Sequence, residues 1–359
     1  MWASSTPNAT SDGTRAGPFP TITQAIAAAQ VLTAPKKCVR IFAGTYPEAL
    51  LVAYGTLDMA GVDGRDNVII GGNLGSALSV ENATVAVSGL TLSHGAGTKV
   101  NYTDGTYNYV TYSGGGLYQL GGSVTLTDVA LTNNSLPTFV AASSTVTGIS
   151  SVGGGFYASG GTLVLDHVLI SGNYAYFGGG FGESGTRMSG THVTQTGDSA
   201  SIGGAGEFQL GSLSLSNSII ANEGTDGFTL QGAEVDLVND TLYNLPTAFT
   251  LDGSSGQLSA LSIENSIISA GGGAVLQLGT GSSVVLKYSD VYVGGVPFSG
   301  IASPADGTDI SGDPQFVGAG DYHLQPTSPC AHTGDPNVYN DDGRRSDMGR
   351  YGGPTGTEE

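Results

Sequence analysis

The sequence predicts an all-β chain coiled as a single-stranded parallel β-helix, and three observations carry that prediction. Glycine makes up 59 of the 359 residues, a glycine cluster recurs at a near-constant interval, and apolar residues alternate with small polar ones inside each interval. Composition narrows the field first. Collagen needs glycine at every third position, which is absent. Disorder needs low hydrophobicity with abundant charge, whereas 39% of this chain is hydrophobic and only 11% charged. Glycine this abundant in a folded chain serves tight turns and closely stacked backbone.

Sliding the chain against itself exposes the unit. Gly114-Gly115-Gly116-Leu117-Tyr118 recurs as Gly153-Gly154-Gly155-Phe156-Tyr157, then as Gly178-Gly179-Gly180-Phe181, then as Gly203-Gly204-Ala205-Gly206. A second signal follows, in segments such as Val124-Thr125-Leu126-Thr127, Leu163-Val164-Leu165-Asp166 and Leu261-Ser262-Ile263-Glu264. Their alternation is the period of a strand with one buried face, and no segment of this region keeps a helical period over three turns. A unit of about 22 to 26 residues thus holds three short strands separated by Gly/Asn turns. One such rung cannot bury its own inner face. Stacking at about 4.8 Å closes the core and pairs each strand with the rungs on either side, with about ten rungs over residues 51–300. A leucine-rich repeat needs a helical segment and a fixed Leu pattern in every unit, and a propeller blade needs a longer unit; neither fits.

The ends depart from the repeat as caps of a single domain. In residues 1–50, Asp12-Gly13-Thr14 leads to Ile22, Ala25, Ile26 and Ala29, spaced as one face of a short amphipathic helix that would plug the open end of the stack. Val39-Arg40-Ile41-Phe42 then reads as a strand and Gly44-Thr45-Tyr46-Pro47-Glu48 as a turn. Residues 301–359 lose the repeat and gain Pro and Asp, which predicts an irregular C-terminal cap.

Thirty acidic residues against 11 basic give a net charge of −19. Nucleic acid and anionic lipid are excluded as partners on this balance, because both are bound through clustered Lys and Arg, while cations such as Ca²⁺ suit it. Cys38 and Cys330 stand too far apart in sequence for a disulfide framework. No apolar run reaches the length of a membrane span, and Met1-Trp2-Ala3 is no signal peptide; the low-charge Ser/Thr/Asn/Gly-rich composition suits a secreted or cell-surface protein whose leader is not part of this sequence.

The Gly-Gly-Gly-[Leu/Phe]-Tyr units, each followed by a strand and, at Asn173, by an asparagine, resemble the right-handed parallel β-helix repeats of the pectin-lyase-like superfamily, and especially those of polymorphic outer membrane proteins. The opening DGT…GTYPE and the closing segment from Ser328-Pro329 to Gly352-Gly353-Pro354 are similar to the caps of exported bacterial β-helix proteins. The resemblance implies the fold and its right hand, and leaves the activity open, since the superfamily holds lyases, hydrolases, epimerases and adhesins.

Candidate sites follow from residue types and stacking. A lyase base is wanting, because Lys99, Arg187 and Lys287 are the only basic residues between 70 and 300 and fall on distant rungs. His167 and His192 are separated by 25 residues, and so are Asn173, Asp198 and Glu223, so each set should form a column. Asp198 and Glu223 would then lie about 5 Å apart, which suits a retaining carboxylate pair, with His167 and His192 as further catalytic candidates. Equally, Asn173, Asp198 and Glu223 are a turn ladder and the histidines a stack at a strand edge. Tyr118 and Tyr157 occupy equivalent positions, and Tyr107 and Tyr109 lie in the insertion before them; such rings stack on sugars or form a packing ladder. Asp335, Asp341, Asp342 and Asp347 have the density of oxygen ligands for Ca²⁺, or pair with Arg344, Arg345 and Arg350.

Two functions remain on the sequence. One is a monomeric, non-catalytic adhesion-type module that presents its surface to a polysaccharide or cell-surface glycan. The other is a carbohydrate-active enzyme, a carboxylate hydrolase rather than a lyase. The insertions at residues 96–113 and 135–152 are the expected walls of a groove.

Overall fold

The computed structural model describes the whole chain except residues 7–9, 35, 73, 144–146, 253–255, 272–274, 280, 294–297, 300–305 and 357–359. The expected boundary between rungs and C-terminal cap, at residues 300 and 301, lies outside the described residues. Each rung contributes one strand to a ten-stranded parallel sheet and two to a 19-stranded parallel sheet, the two merging into one continuous strand at Thr84–Ser93 and at Ser123–Thr132. Phe156–Ser159, Thr162–Asp166 and Leu169–Ser171 make one such rung. Its successor continues in register, with Phe156 paired to Phe181, Leu163 to Met188 and Ile170 to Gln195. The coil is right-handed, the hand that parallel crossovers adopt almost without exception.

The core is a set of inward columns that repeat with the register. Phe156, Phe181, Phe228 and Phe249 belong to one column of the ten-stranded sheet, and Phe156 stacks on Phe181 at 4.9 Å between ring centroids. Gly206 takes the same position between Phe181 and Phe228, and the ring of Phe181 fills the space its side chain would need.

The glycine triplets have a two-part cause. Gly153 is left-handed at φ +69°, which turns the chain into the next strand, while a Cβ on Gly154 would lie 2.3 Å from the carbonyl oxygen of Gly179 on the adjacent rung. One glycine bends the chain; the next lets two rungs approach.

A second corner, between the two strands each rung gives to the large sheet, also requires left-handed backbone. Asp128, His167, His192, Asn217, Asn239 and Asn265 occupy it on successive rungs with φ between 50° and 58°. Asn, Asp and His are the side chains best tolerated there after glycine.

The N-terminal cap forms as the sequence predicts. Helix α1 spans Ile22–Gln30 and buries Ile22, Ala25, Ile26 and Ala29. Thr21 caps it, accepting from the Gln24 N–H at 3.2 Å, and Glu48 reaches back so that its carboxylate accepts from the N–H groups of Ile22 and Thr23 at 2.8 and 2.9 Å. Glu48→Ala is expected to cost about 1–2 kcal/mol, read as a lowered urea midpoint at unchanged slope.

The C-terminal segment lies along the flank of the stack. Phe316 and Tyr322 pack on Ile219, Ala221 and Tyr243, and Cys330 and Met348 pack on Ile267. The left-handed corner then receives the tail. Asn265 Oδ1 accepts from the Asp335 N–H, Asn239 donates to the carbonyl of Asp347, and Asn217 donates to the carbonyls of Arg350 and Gly352. His192 meets the carbonyl of Thr355 at 3.1 Å. Cys38 and Cys330 are both free thiols.

Candidate functional site

The two predicted columns occupy different environments. Asn134, Asn173, Asp198 and Glu223 form a ladder inside a turn. Asn134 donates to Asn173 Oδ1 at 2.9 Å, Asn173 donates to Asp198 Oδ1 at 2.9 Å, and the Asp198 N–H donates to Glu223 Oε2 at 2.7 Å. Asp198 is 0% and Glu223 5% exposed, so a glycan cannot reach the pair as it stands. Burial drives both carboxyls well above the ordinary carboxylate range, and Glu223 is raised further by the neighbouring Asp198 charge.

His167 and His192 lie instead on the left-handed corner, with ring centroids 4.5 Å apart. Among the described residues, the tail's bonds to this corner end at His192. Beyond it a cleft of about 540 Å³ opens over His167, lined by Arg65, Asp128, His192, Thr194 and Arg350 among others. Arg65 Nε lies 3.4 Å from Asp128 Oδ1, and its Nη1 donates to the carbonyl of His167 at 3.1 Å. A search for bases confined to residues 70–300 misses both arginines, because Arg65 precedes that span and Arg350 arrives on the folded-back tail.

The outer face of the ten-stranded sheet carries the other candidates. Its register places Ser79, Tyr118, Tyr157, Gly182, Glu207, Thr229, Thr250 and Gln277 in one outward row on consecutive rungs. Tyr118 and Tyr157 stack on each other at 6.0 Å, and Tyr118 is only 7% exposed. Both insertions stand beside this face. Thr98–Thr103 and Asn108–Ser113 form an antiparallel hairpin, and Gly148–Val152 adds a third strand. Tyr109 stacks on Tyr102 within the hairpin at 5.0 Å and donates to Asp104, while Tyr107 is 36% exposed. Thr98 Oγ1 lies 3.1 Å from Ser79 Oγ, which fastens the hairpin to the sheet face.

Under the third strand lies a recess of about 170 Å³ lined by Ser150, Val152, Tyr157, Glu183, Glu207 and Gln209. Val152 packs directly over Gly182, where a Cβ would collide with it. Burial pushes the Glu183 carboxyl up to about 7, against the opposing donation from the Thr186 N–H at 2.7 Å, and burial also raises Glu207. Farther along the same face a groove of about 590 Å³ is lined by Asp226, Thr229, Gln231, Thr250, Asp252 and Gln277. Glu183 and Glu207 are found by the register, since Glu207 stands in the Tyr118/Tyr157 column itself and Glu183 one residue beyond it.

The four predicted metal-binding aspartates do not converge. Asp335 accepts from the Asn337 N–H, Asp342 pairs with Arg344 at 3.5 Å, and Asp347 accepts from the His332 N–H at 2.6 Å. Asp341 lies exposed beside them. Among the described residues, the grouping whose ligand atoms all lie within 4.8 Å of one another is Asp166, His167 and His192.

Stacked rungs, inward ladders and a side-walled sheet face make this a parallel β-helix protein. No protein-family model and no curated protein sequence matches the chain. Solved structures similar to it include pectin methylesterase PemA from Erwinia chrysanthemi, at 13% identity and a TM-score of 0.43, covering 79% of this chain and 92% of that one. A pectin methylesterase in complex with a hexasaccharide gives the same identity, score and coverage. Pectate lyase Pel9A is similar over 98% of this chain and 96% of its own, again at 13% identity and a TM-score of 0.43.

Proposed function

We propose that the protein is an exported, monomeric, non-catalytic module that holds a polysaccharide or cell-surface glycan lengthwise along the outer face of its ten-stranded sheet. The observation that supports this reading is the outward row from Tyr118 to Gln277, in which half-buried Tyr157 and Thr250 and exposed Gln277 reach the surface beside the buried Tyr118, Glu207 and Thr229. A parallel stack repeats at about 4.8 Å, so the row offers a regularly spaced ladder of hydrogen-bonding groups to an extended ligand. Tyr157 supplies an apolar ring at the end where the side sheet narrows the face. No helix among the described residues is long and apolar enough to cross a membrane.

Binding is tested by affinity electrophoresis and calorimetry against a panel of neutral and acidic polysaccharides. Tyr157→Ala and Gln277→Ala are each expected to weaken retention of the bound glycan by about tenfold, the loss of one stacking or hydrogen-bonding contact. No retention on any polysaccharide, or retention unchanged in both variants, overturns the reading.

A second reading, hydrolysis, rests on one observation: burial lifts the Glu183 carboxyl to about 7 in the recess that Glu207 also lines, and because both are almost fully buried the recess would have to open to admit a glycan. Reducing ends released by the protein and lost in Glu183→Gln would establish it. Unsaturated products would point to elimination instead.

A further inference from the structure

We propose that Asp166, His167 and His192 form a binding site for a transition-metal dication of the Zn²⁺ class, opening into the cleft at the end of the C-terminal tail. The corner these histidines occupy demands left-handed backbone but not an imidazole, because Asn217, Asn239 and Asn265 satisfy the same demand on the following rungs. Two imidazoles on adjacent rungs therefore need a cause beyond the turn. Their ring centroids are 4.5 Å apart, and Asp166 Oδ1 lies 2.8 Å from His167 Nδ1.

The three ligand atoms fall within 4.8 Å of one another. Tetrahedral Zn²⁺ with bonds of about 2.1 Å holds its ligand atoms about 3.4 Å apart, so closure asks the widest pair to contract by at most about 1.4 Å, within reach of side-chain rotation. Imidazole and carboxylate together suit zinc, copper, nickel and ferrous iron better than Ca²⁺ or Mg²⁺.

The surroundings supply what such a site requires. His192 Nε2 lies 3.1 Å from the carbonyl of Thr355, an acceptor only, so Nε2 is the donor of that contact and Nδ1 is the ring nitrogen a metal would use. Donation of the other ring N–H to a backbone carbonyl is the usual way a metal-binding histidine is oriented. Asp166 and His167 keep side-chain exposures of 43% and 37%, which leaves a path for the ion, and the cleft of about 540 Å³ has room for water or a further ligand. Arg65, held by Asp128, and Arg350 stand on its walls and would favour an anionic ligand at the open coordination positions. The other paired histidines, His323 with Asp321 and His332 with Asp347, each offer one imidazole and one carboxylate.

The test uses the full chain after treatment with chelator, titrated with ZnCl₂ by calorimetry and with CoCl₂ by visible absorption. One saturable site per chain is expected, with the cobalt spectrum of a nitrogen- and oxygen-ligated ion. His167→Asn and His192→Asn install the residue the corner already uses elsewhere, so the fold should survive. Each is expected to weaken binding at least about tenfold, and the double variant to abolish the cobalt spectrum; Asp166→Asn should weaken it about tenfold. No saturable binding in the unmodified chain overturns the proposal, and so does binding of undiminished affinity in the folded double variant, which would place the ion among the other acidic groups.

Discussion

Acidification from about pH 8 to about pH 5 is expected to raise the melting temperature by on the order of 10 °C, because several buried carboxyls hold their protons in the folded chain far above the pH at which the unfolded chain releases them. Burial lifts Asp240 to about 8, outweighing donation from the Ser218 and Val238 N–H groups and the nearby Arg350 charge. Burial likewise lifts Glu183 to about 7 and Asp290 to about 6. Asp198 and Glu223 shift in the same direction.

Below about pH 4 both states hold these protons, and the stability they permit is fully present. As pH rises, the unfolded state ionises first. Unfolding is then favoured progressively, until the folded pKa is passed near 6 for Asp290, 7 for Glu183 and 8 for Asp240. Each unit of separation is worth about 1.4 kcal/mol, so the total loss is on the order of several kcal/mol. Asp198→Asn isolates one contribution. The amide continues the ladder of Asn134 and Asn173 without titrating, so the variant should melt higher than the parent at about pH 8 and within a degree or so of it at about pH 4. A melting temperature flat between those values in the parent would mean that these carboxyls are ionised in the folded state.

Gly154→Ala is expected to cost on the order of 3 kcal/mol or more, among the largest effects of any single methyl group in this chain. The new carbon would lie 2.3 Å from the Gly179 carbonyl oxygen and 2.8 Å from the backbone of Tyr174, and neither can move without parting the rungs. Gly160→Ala is the control. That glycine is left-handed at φ +67° but meets nothing within 4 Å, so its cost is the backbone preference alone, about 1–2 kcal/mol. Equal denaturant midpoints for the two variants would show that the triplets serve turn geometry only. Loss of folded Gly154→Ala protein beside well-folded Gly160→Ala would mark the upper end of the expected effect.

What was legible in the sequence follows from what repeats. The rung, its three strands and the face of α1 are written as periods, and each period has a single geometric solution. The 25-residue spacings likewise put His167 under His192 and Asp198 under Glu223, as the register requires. Spacing fixes the rung and not the direction, because the alternation that separates inside from outside breaks at turns. The Asn173 column therefore proves interior while the histidine column is on a corner. His192 is also 25 residues from Asn217, and that interval already ties the histidines to the asparagine corner. The tail's position has no such signal. Its docking depends on side-chain bonds between residues 70 to 163 positions apart, and no local pattern encodes them.

That tail changes the cooperativity of the stack. In a linear array each repeat is held only by its neighbours, so melting can begin at any weak rung and spread stepwise. Here one continuous segment is bonded in turn to the corners at Asn265, Asn239, Asn217 and His192, and so spans four consecutive rungs. Opening any of them must strain or release the same strand of chain. The middle of the molecule is thereby joined into one unfolding unit, while among the described residues the rungs before His167 receive no such bond from the tail and keep the graded local stability of a linear array.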